Sequence, residues 1–143
     1  MAIELDHPFT TGKSIDDNFE AITDLERVIP AVEGGSVTET TGPDSVKAQI
    51  IMKMGAMSMK MVGTIEIVDQ DADAHRAVLK IKARESGGQG HANADVTFQL
   101  DDGGGTIHTH AQITGKAASM GEGVMVGVLD ALITDFTTKL GQI

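Results

Sequence analysis

The chain is 143 residues long, with 21 acidic against 11 basic side chains, a formal charge of −10, and no cysteine. That length suits one domain with a real buried core, and the lack of cysteine excludes disulfides, thiolate metal sites and cysteine nucleophiles. The acidic balance argues against binding nucleic acid, where Lys and Arg must neutralise phosphates, and against electrostatic docking on anionic lipid.

Residues 3–11 have strand character, and Pro8 within them places that strand at a sheet edge or a bulge. Ser14 ahead of Asp16 and Asp17 is an N-cap with acids in the first turn, predicting a short helix through about Ala21. Asp24 caps a second short helix that stops near Pro30. From Val32 to Gly115 the pattern has period two, which predicts strands near 33–41, 44–54, 57–69, 74–86, 90–100 and 105–114. Turns fall at Gly42-Pro43, Gly55-Ala56, Asp69 to Asp73, Gly87-Gly88 and Asp101 to Gly105. After Gly115 the period becomes helical: Met120, Val124, Val128, Ala131 and Phe136 form one stripe, and Met125, Leu129 and Leu132 a neighbouring one. A helix from Ala117 to Leu140 would be about 36 Å long at 1.5 Å per residue, with Gly141 at its C-terminal cap.

This order is an α+β fold: a curved antiparallel seven-stranded sheet, two short helices after strand 1, and a long C-terminal helix over the sheet. The long helix is the one candidate to cover the apolar face of the sheet, and the short helices can plug one end. No apolar run is long enough to span a membrane, and Met1–Phe9 carries Glu4 and Asp6 in place of a basic-then-apolar leader, so a cytoplasmic chain is expected.

The interior is set by what is missing. Trp and Tyr are absent and Phe occurs four times, whereas Met occurs eight times. Large rings usually fill a domain of this size, so this interior is either unusually adaptable or incompletely filled. Side chains alternate across a strand. Ala48, Ile50, Met52 and Met54 therefore share one face against Lys47, Gln49 and Lys53, and Met57, Met59 and Met61 share one against Ser58 and Lys60. Opposite them, Ala92, Ala94, Val96, Phe98 and Leu100 point inward, as do Ile107, Thr109, Ala111 and Ile113. The small side chains Ala92, Ala94, Thr109 and Ala111 do not reach far into a gap that no large ring fills. Gly121, Gly123 and Gly127 each cost about 1 kcal/mol against alanine in a helix interior, a cost explained if bare backbone allows a close approach or leaves room. Ligand cavities span about 300–1,000 Å³ and are mostly apolar. The predicted lining of one here is Met52, Met54, Met57, Met59, Met61, Ala92, Ala94, Phe98, Thr109, Ala111, Met120, Val124, Met125 and Val128. A collapsed, Met-filled core is the alternative.

No catalytic constellation accompanies this lining. His108 and His110 share a strand face but have the opposite parity to Ile107 and Ile113, which puts them on the solvent side, and no metal site is expected. His7, His75 and His91 have no partner visible in the sequence. Gly103-Gly104-Gly105 opens no helix, so it is a hairpin turn instead of a phosphate cradle. Asp16, Asp17, Asp69, Asp71, Asp73, Asp101 and Asp102 sit where caps and turns need them.

Three segments in order carry a family resemblance: Thr23-Asp24 with Val28-Ile29-Pro30, then Gly103 to Gly115 (GGGTIHTHAQITG), then Gly115 to Gly121 (GKAASMG). They resemble motifs of the CoxG family of carbon monoxide dehydrogenase subunits, within the START and Bet v 1-like (SRPBCC) helix-grip superfamily. Phe19 stands where that family often has Trp, Ala31 where it has a glycine after Ile-Pro, and His110 where it has another aromatic. Many members carry a C-terminal extension for membrane attachment; this sequence stops at Ile143, so the resemblance does not carry over a membrane-anchoring role and membrane association stays open. The resemblance implies an accessory protein of a carbon monoxide dehydrogenase-type molybdenum hydroxylase, requiring no cofactor of its own. It would bind a quinone or another lipid and pass electrons toward the membrane quinone pool. The residues alone predict the cavity, and only the resemblance supplies the quinone. Two other readings stay open: a helix-grip enzyme of the cyclase or hydrolase kind, which needs a buried titratable residue, and a packed structural accessory protein. The oligomeric state is not legible.

Overall fold

The computed structural model describes residues 1–54 and 56–143, with Met54 described by its backbone only. Seven strands form one antiparallel sheet: β1 (Ala2–Thr10), β2 (Gly35–Gly42), β3 (Ser45–Met54), β4 (Met57–Asp71), β5 (Arg76–Glu85), β6 (Gly90–Asp101) and β7 (Gly104–Gly115). Their order is β1-β7-β6-β5-β4-β3-β2. Neighbours from β2 to β7 are hairpin partners, whereas β1 pairs with β7 across the chain. Strands β1 and β2, nearly adjacent in sequence, therefore occupy opposite edges. Helices α1 (Ile15–Ile22) and α2 (Leu25–Val28), followed by a 3-10 turn at Ile29–Ala31, join them.

The local signals explain these elements. Ser14 Oγ accepts from the Asp17 backbone N–H at 3.2 Å, and Asp24 Oδ1 from that of Arg27 at 3.3 Å, so both predicted caps form. Pro8 lies on the edge strand β1, opposite Thr106, where a missing N–H is tolerated. Gly103 turns the β6–β7 hairpin at φ +85°. Asn18, which the sequence did not single out, is buried: its Nδ2 donates to the carbonyls of Lys13 and Asp101, and its Oδ1 accepts from Thr11 Oγ1 at 2.7 Å. One amide thereby ties α1 to the β6–β7 end of the sheet.

The continuous helix predicted over Ala117–Leu140 is instead two pieces, a 3-10 turn at Ala118–Met120 and helix α3 (Glu122–Leu140). Gly121, at φ +98°, separates them with a backbone conformation that a helix interior does not admit. Gly141 caps α3 in ordinary right-handed geometry, φ −66° and ψ −13°.

The inward faces pack as two clusters instead of one. The first gathers Phe9, Ile22, Leu25, Val28, Phe98, Leu100, Ile107, Phe136 and Leu140 around α1 and α2. The second gathers Ile3, Met59, Met61, Ile113, Ala117 and Met125 around the start of α3. The backbone of helix α3 comes nearest to β1 and to the Ile29–Ala31 turn.

Strand β4 crosses β5 closely at Gly63, which faces Ala48 of β3 and Ala83 of β5. A Cβ built there would fall on the Lys82 carbonyl oxygen. Because that obstacle is backbone, Gly63→Ala is expected to cost at least about 2 kcal/mol, which for a domain of this size lowers Tm by roughly 5 °C or more. Differential scanning calorimetry checks it.

Candidate functional site

Between the two clusters lies a cavity of about 260 Å³. One wall is the concave face of the sheet. Met52, Met59 and Met61 of β3 and β4 line it, as do Ala92, Ala94, Val96 and Phe98 of β6 and Ile107, Thr109, Ala111 and Ile113 of β7. The helix wall is Met125, Leu129, Leu132, Ile133 and Phe136. Val28, Ile29 and Val32 close the end beside α2, where Phe98 and Phe136 meet edge to face with centroids 6.3 Å apart. Polar residues border the other end: Glu85, Gln89 and His91, with Gly90 between them, bring the cavity to the surface beside the β5–β6 turn.

The structure moves several predicted lining residues. Met57 belongs to the correct strand face but sits at the start of β4, 39 % exposed, beyond the reach of the helix. Met54 lies outside the residues whose side chains are described. Val124 is 46 % exposed on the outer side of α3, and Met120 and Val128 pack against the second cluster without lining the cavity. Met125, 1 % exposed, takes the central place. The helix is apolar on two adjacent stripes, and the neighbouring one turns inward because Met125, Leu129 and Leu132 bury more area than Val124, Val128 and Ala131, with Phe136 of the first stripe joining them on the cavity wall. Gly123 and Gly127 follow from the same rotation. They face solvent, with nothing within 4 Å of a built Cβ, so they neither make a close approach nor leave room in the cavity.

Strand β5 was missed as a wall. Leu79, Ile81 and Ala83 line the cavity between Lys80 and Lys82, and that alternation was present in the sequence.

Two of the histidines with no partner visible in the sequence find one through the fold. His7 Nε2 shares a hydrogen bond with Asp130 Oδ1 at 2.7 Å, latching α3 to β1, and His75 Nε2 meets Asp16 Oδ1 at 3.2 Å. On the outer face, His108 Nδ1 lies 2.6 Å from Asp6 Oδ1, and His110 Nδ1 3.3 Å from Glu4 Oε1. Among the described residues no group of three His, Asp or Glu side chains is placed to hold a metal. No helix among them is long and apolar enough to cross a membrane.

A curled antiparallel sheet closed by one long helix, with a cavity between them, defines the helix-grip class. The chain belongs to the CoxG family of carbon monoxide dehydrogenase subunits, whose family pattern it matches over residues 8–142. Among solved structures, a conserved protein from Geobacillus kaustophilus superposes with a TM-score of 0.81 at 21 % identity, covering 99 % of this chain and 93 % of that one. The Zhui aromatase/cyclase from Streptomyces sp. R1128 gives 0.66 at 11 % identity, covering 99 % and 93 %. Truncated norcoclaurine synthase from Thalictrum flavum gives 0.55 at 14 %, covering 98 % and 93 %. At these identities the likeness is one of fold alone. No curated protein sequence matches the chain.

The rotation of α3 has a direct test. Met125→Ala removes a buried side chain and is expected to cost about 2–5 kcal/mol, whereas Val124→Ala on the outer side stays within about 0.5 kcal/mol. Chemical denaturation of the two variants checks the contrast, and equal losses would place the helix in the wrong rotation.

Proposed function

We infer that this chain is a non-enzymatic carrier, binding an apolar small molecule between sheet and helix as an accessory protein of a carbon monoxide dehydrogenase-type molybdenum hydroxylase. The observation that carries the reading is the cavity itself: its buried lining holds no ionisable side chain. Dispersion and desolvation are then the available binding forces, and an apolar ligand gains most from them. General acid–base chemistry needs a titratable group within reach of the substrate, and the ionisable residues at the border of the cavity, Lys82, Glu85 and His91, are half-buried or exposed. The Met side chains of β3 and β4 supply an adaptable wall.

Membership of the CoxG family is what supports this partner class and a quinone as the leading ligand, with another lipid as the alternative occupant. A volume of about 260 Å³ lies just below the range of about 300–1,000 Å³ usual for drug-sized ligands. It suits a ring-sized group better than a whole long-chain lipid, so an isoprenoid tail would leave past the β5–β6 turn. The carrier would act in the cytoplasm, beside its dehydrogenase.

The experiment is organic extraction of freshly purified protein, with mass spectrometry against a mock purification. A stoichiometric isoprenoid quinone is the expected result. Replacing Ala94, midway along the β6 wall, with Trp fills the space and is expected to abolish retention while circular dichroism stays unchanged. Full retention in Ala94→Trp would remove the ligand from this cavity.

A further inference from the structure

Among the described residues, the buried part of the cavity wall holds one side chain with a hydroxyl, and no protein group is placed to hydrogen-bond it. Thr109 lies midway along β7, between Leu5 of β1 and Val96 of β6, and is 6 % exposed. The other buried residues along the cavity are apolar. The backbone groups of β1, β6 and β7 are committed to their ladders, and the side chains beside Thr109 on its face, Ile107 and Ala111, carry no polar atom. Among the described residues, His7 Nδ1 is sealed away without a hydrogen-bond partner, whereas Asp135 Oδ2 lies 3.0 Å from Lys139 Nζ. Thr109 Oγ1 is not among such sealed atoms, and Thr109 lines the cavity. Valine has the same outline, suits a strand equally well and carries no hydroxyl to desolvate. A threonine at this position is therefore a cost to the empty protein, with no return from packing.

We propose that Thr109 is the polar anchor of the cavity, its hydroxyl hydrogen-bonding an uncharged oxygen, carbonyl or hydroxyl, at the buried end of an otherwise apolar ligand. The proposal rests on the carrier reading above and gives the bound molecule a direction. A hydroxyl donates to a carbonyl or accepts from another hydroxyl. A charged head is excluded, because no buried side chain beside Thr109 compensates it and an isolated charge in an apolar site stays out or neutralises. A pure hydrocarbon leaves the hydroxyl unpaired. The oxygen of the ligand therefore points to the middle of β7, and its apolar body lies across toward Met59 and Met61.

The test compares two probes of one shape, 2-methyl-1,4-naphthoquinone and 1,2,4-trimethylnaphthalene, in which methyl groups replace the carbonyl oxygens. The chain has no cysteine, so the quinone meets no thiol to alkylate. Equilibrium dialysis with chromatographic readout gives Kd for both probes on the native protein, Thr109→Val and Thr109→Ser. Thr109→Val is expected to weaken the quinone by about five- to tenfold and to leave the hydrocarbon unchanged or tighter. Thr109→Ser, which keeps the hydroxyl, is expected to restore most of the quinone affinity, and a thermal melt checks that both variants fold. Equal effects of Thr109→Val on the two probes overturn the anchor and leave the carrier reading standing. Failure of the native protein to bind either probe overturns both.

Discussion

A strongly curled sheet has a concave face wider than one helix can fill, and this chain has few large rings to fill the remainder. Everything else in the molecule follows from that mismatch. The four Phe residues include Phe9, Phe98 and Phe136 of the cluster around α1 and α2, with Phe19 packed against it. The other cluster is made of Met, Ile and Ala side chains at the start of α3. Between them the middle strands present Ala92, Ala94, Thr109 and Ala111 to the helix, and the space stays open because none of these side chains is long enough to cross it.

The frame around that space is held by a few specific contacts. Gly63 lets β4 lie close on β5. Asn18 binds three partners from a buried position and fixes α1 to the sheet. The contact of His7 with Asp130 holds α3 on the edge strand. The exposed pairs Lys47–Glu39 and Arg76–Asp69 add little, since solvent-exposed ion pairs contribute about 0–1 kcal/mol. The cavity thus has a rigid aromatic end and a softer methionine end.

The same architecture serves aromatase/cyclases and norcoclaurine synthase, so the fold does not choose between carrier and catalyst. That choice belongs to the chemistry of the wall. Among the described residues the buried wall is apolar except for one neutral hydroxyl, a group poorly equipped to move a proton at neutral pH. Together with membership of the CoxG family, this favours holding a molecule over transforming it.

Short stretches of sequence were enough to specify the element order, both helix caps, Pro8 at an edge or a bulge, and the inward faces of β3, β4, β6 and β7. All of these depend on neighbours within a few residues, through side-chain alternation and local hydrogen bonds. Composition was enough to show that the interior would be poor in rings. The rotation of α3 was settled only in three dimensions, because Val124 and Met125 head two apolar stripes of the same helix and packing against the sheet selects between them. So were the partners of His7 and His75, which lie 123 and 59 residues away in the chain. The open space before Thr109 belongs with these: alternation placed the residue inward, but whether a protein atom meets its hydroxyl depends on the curvature of the whole sheet and on where a distant helix comes to rest.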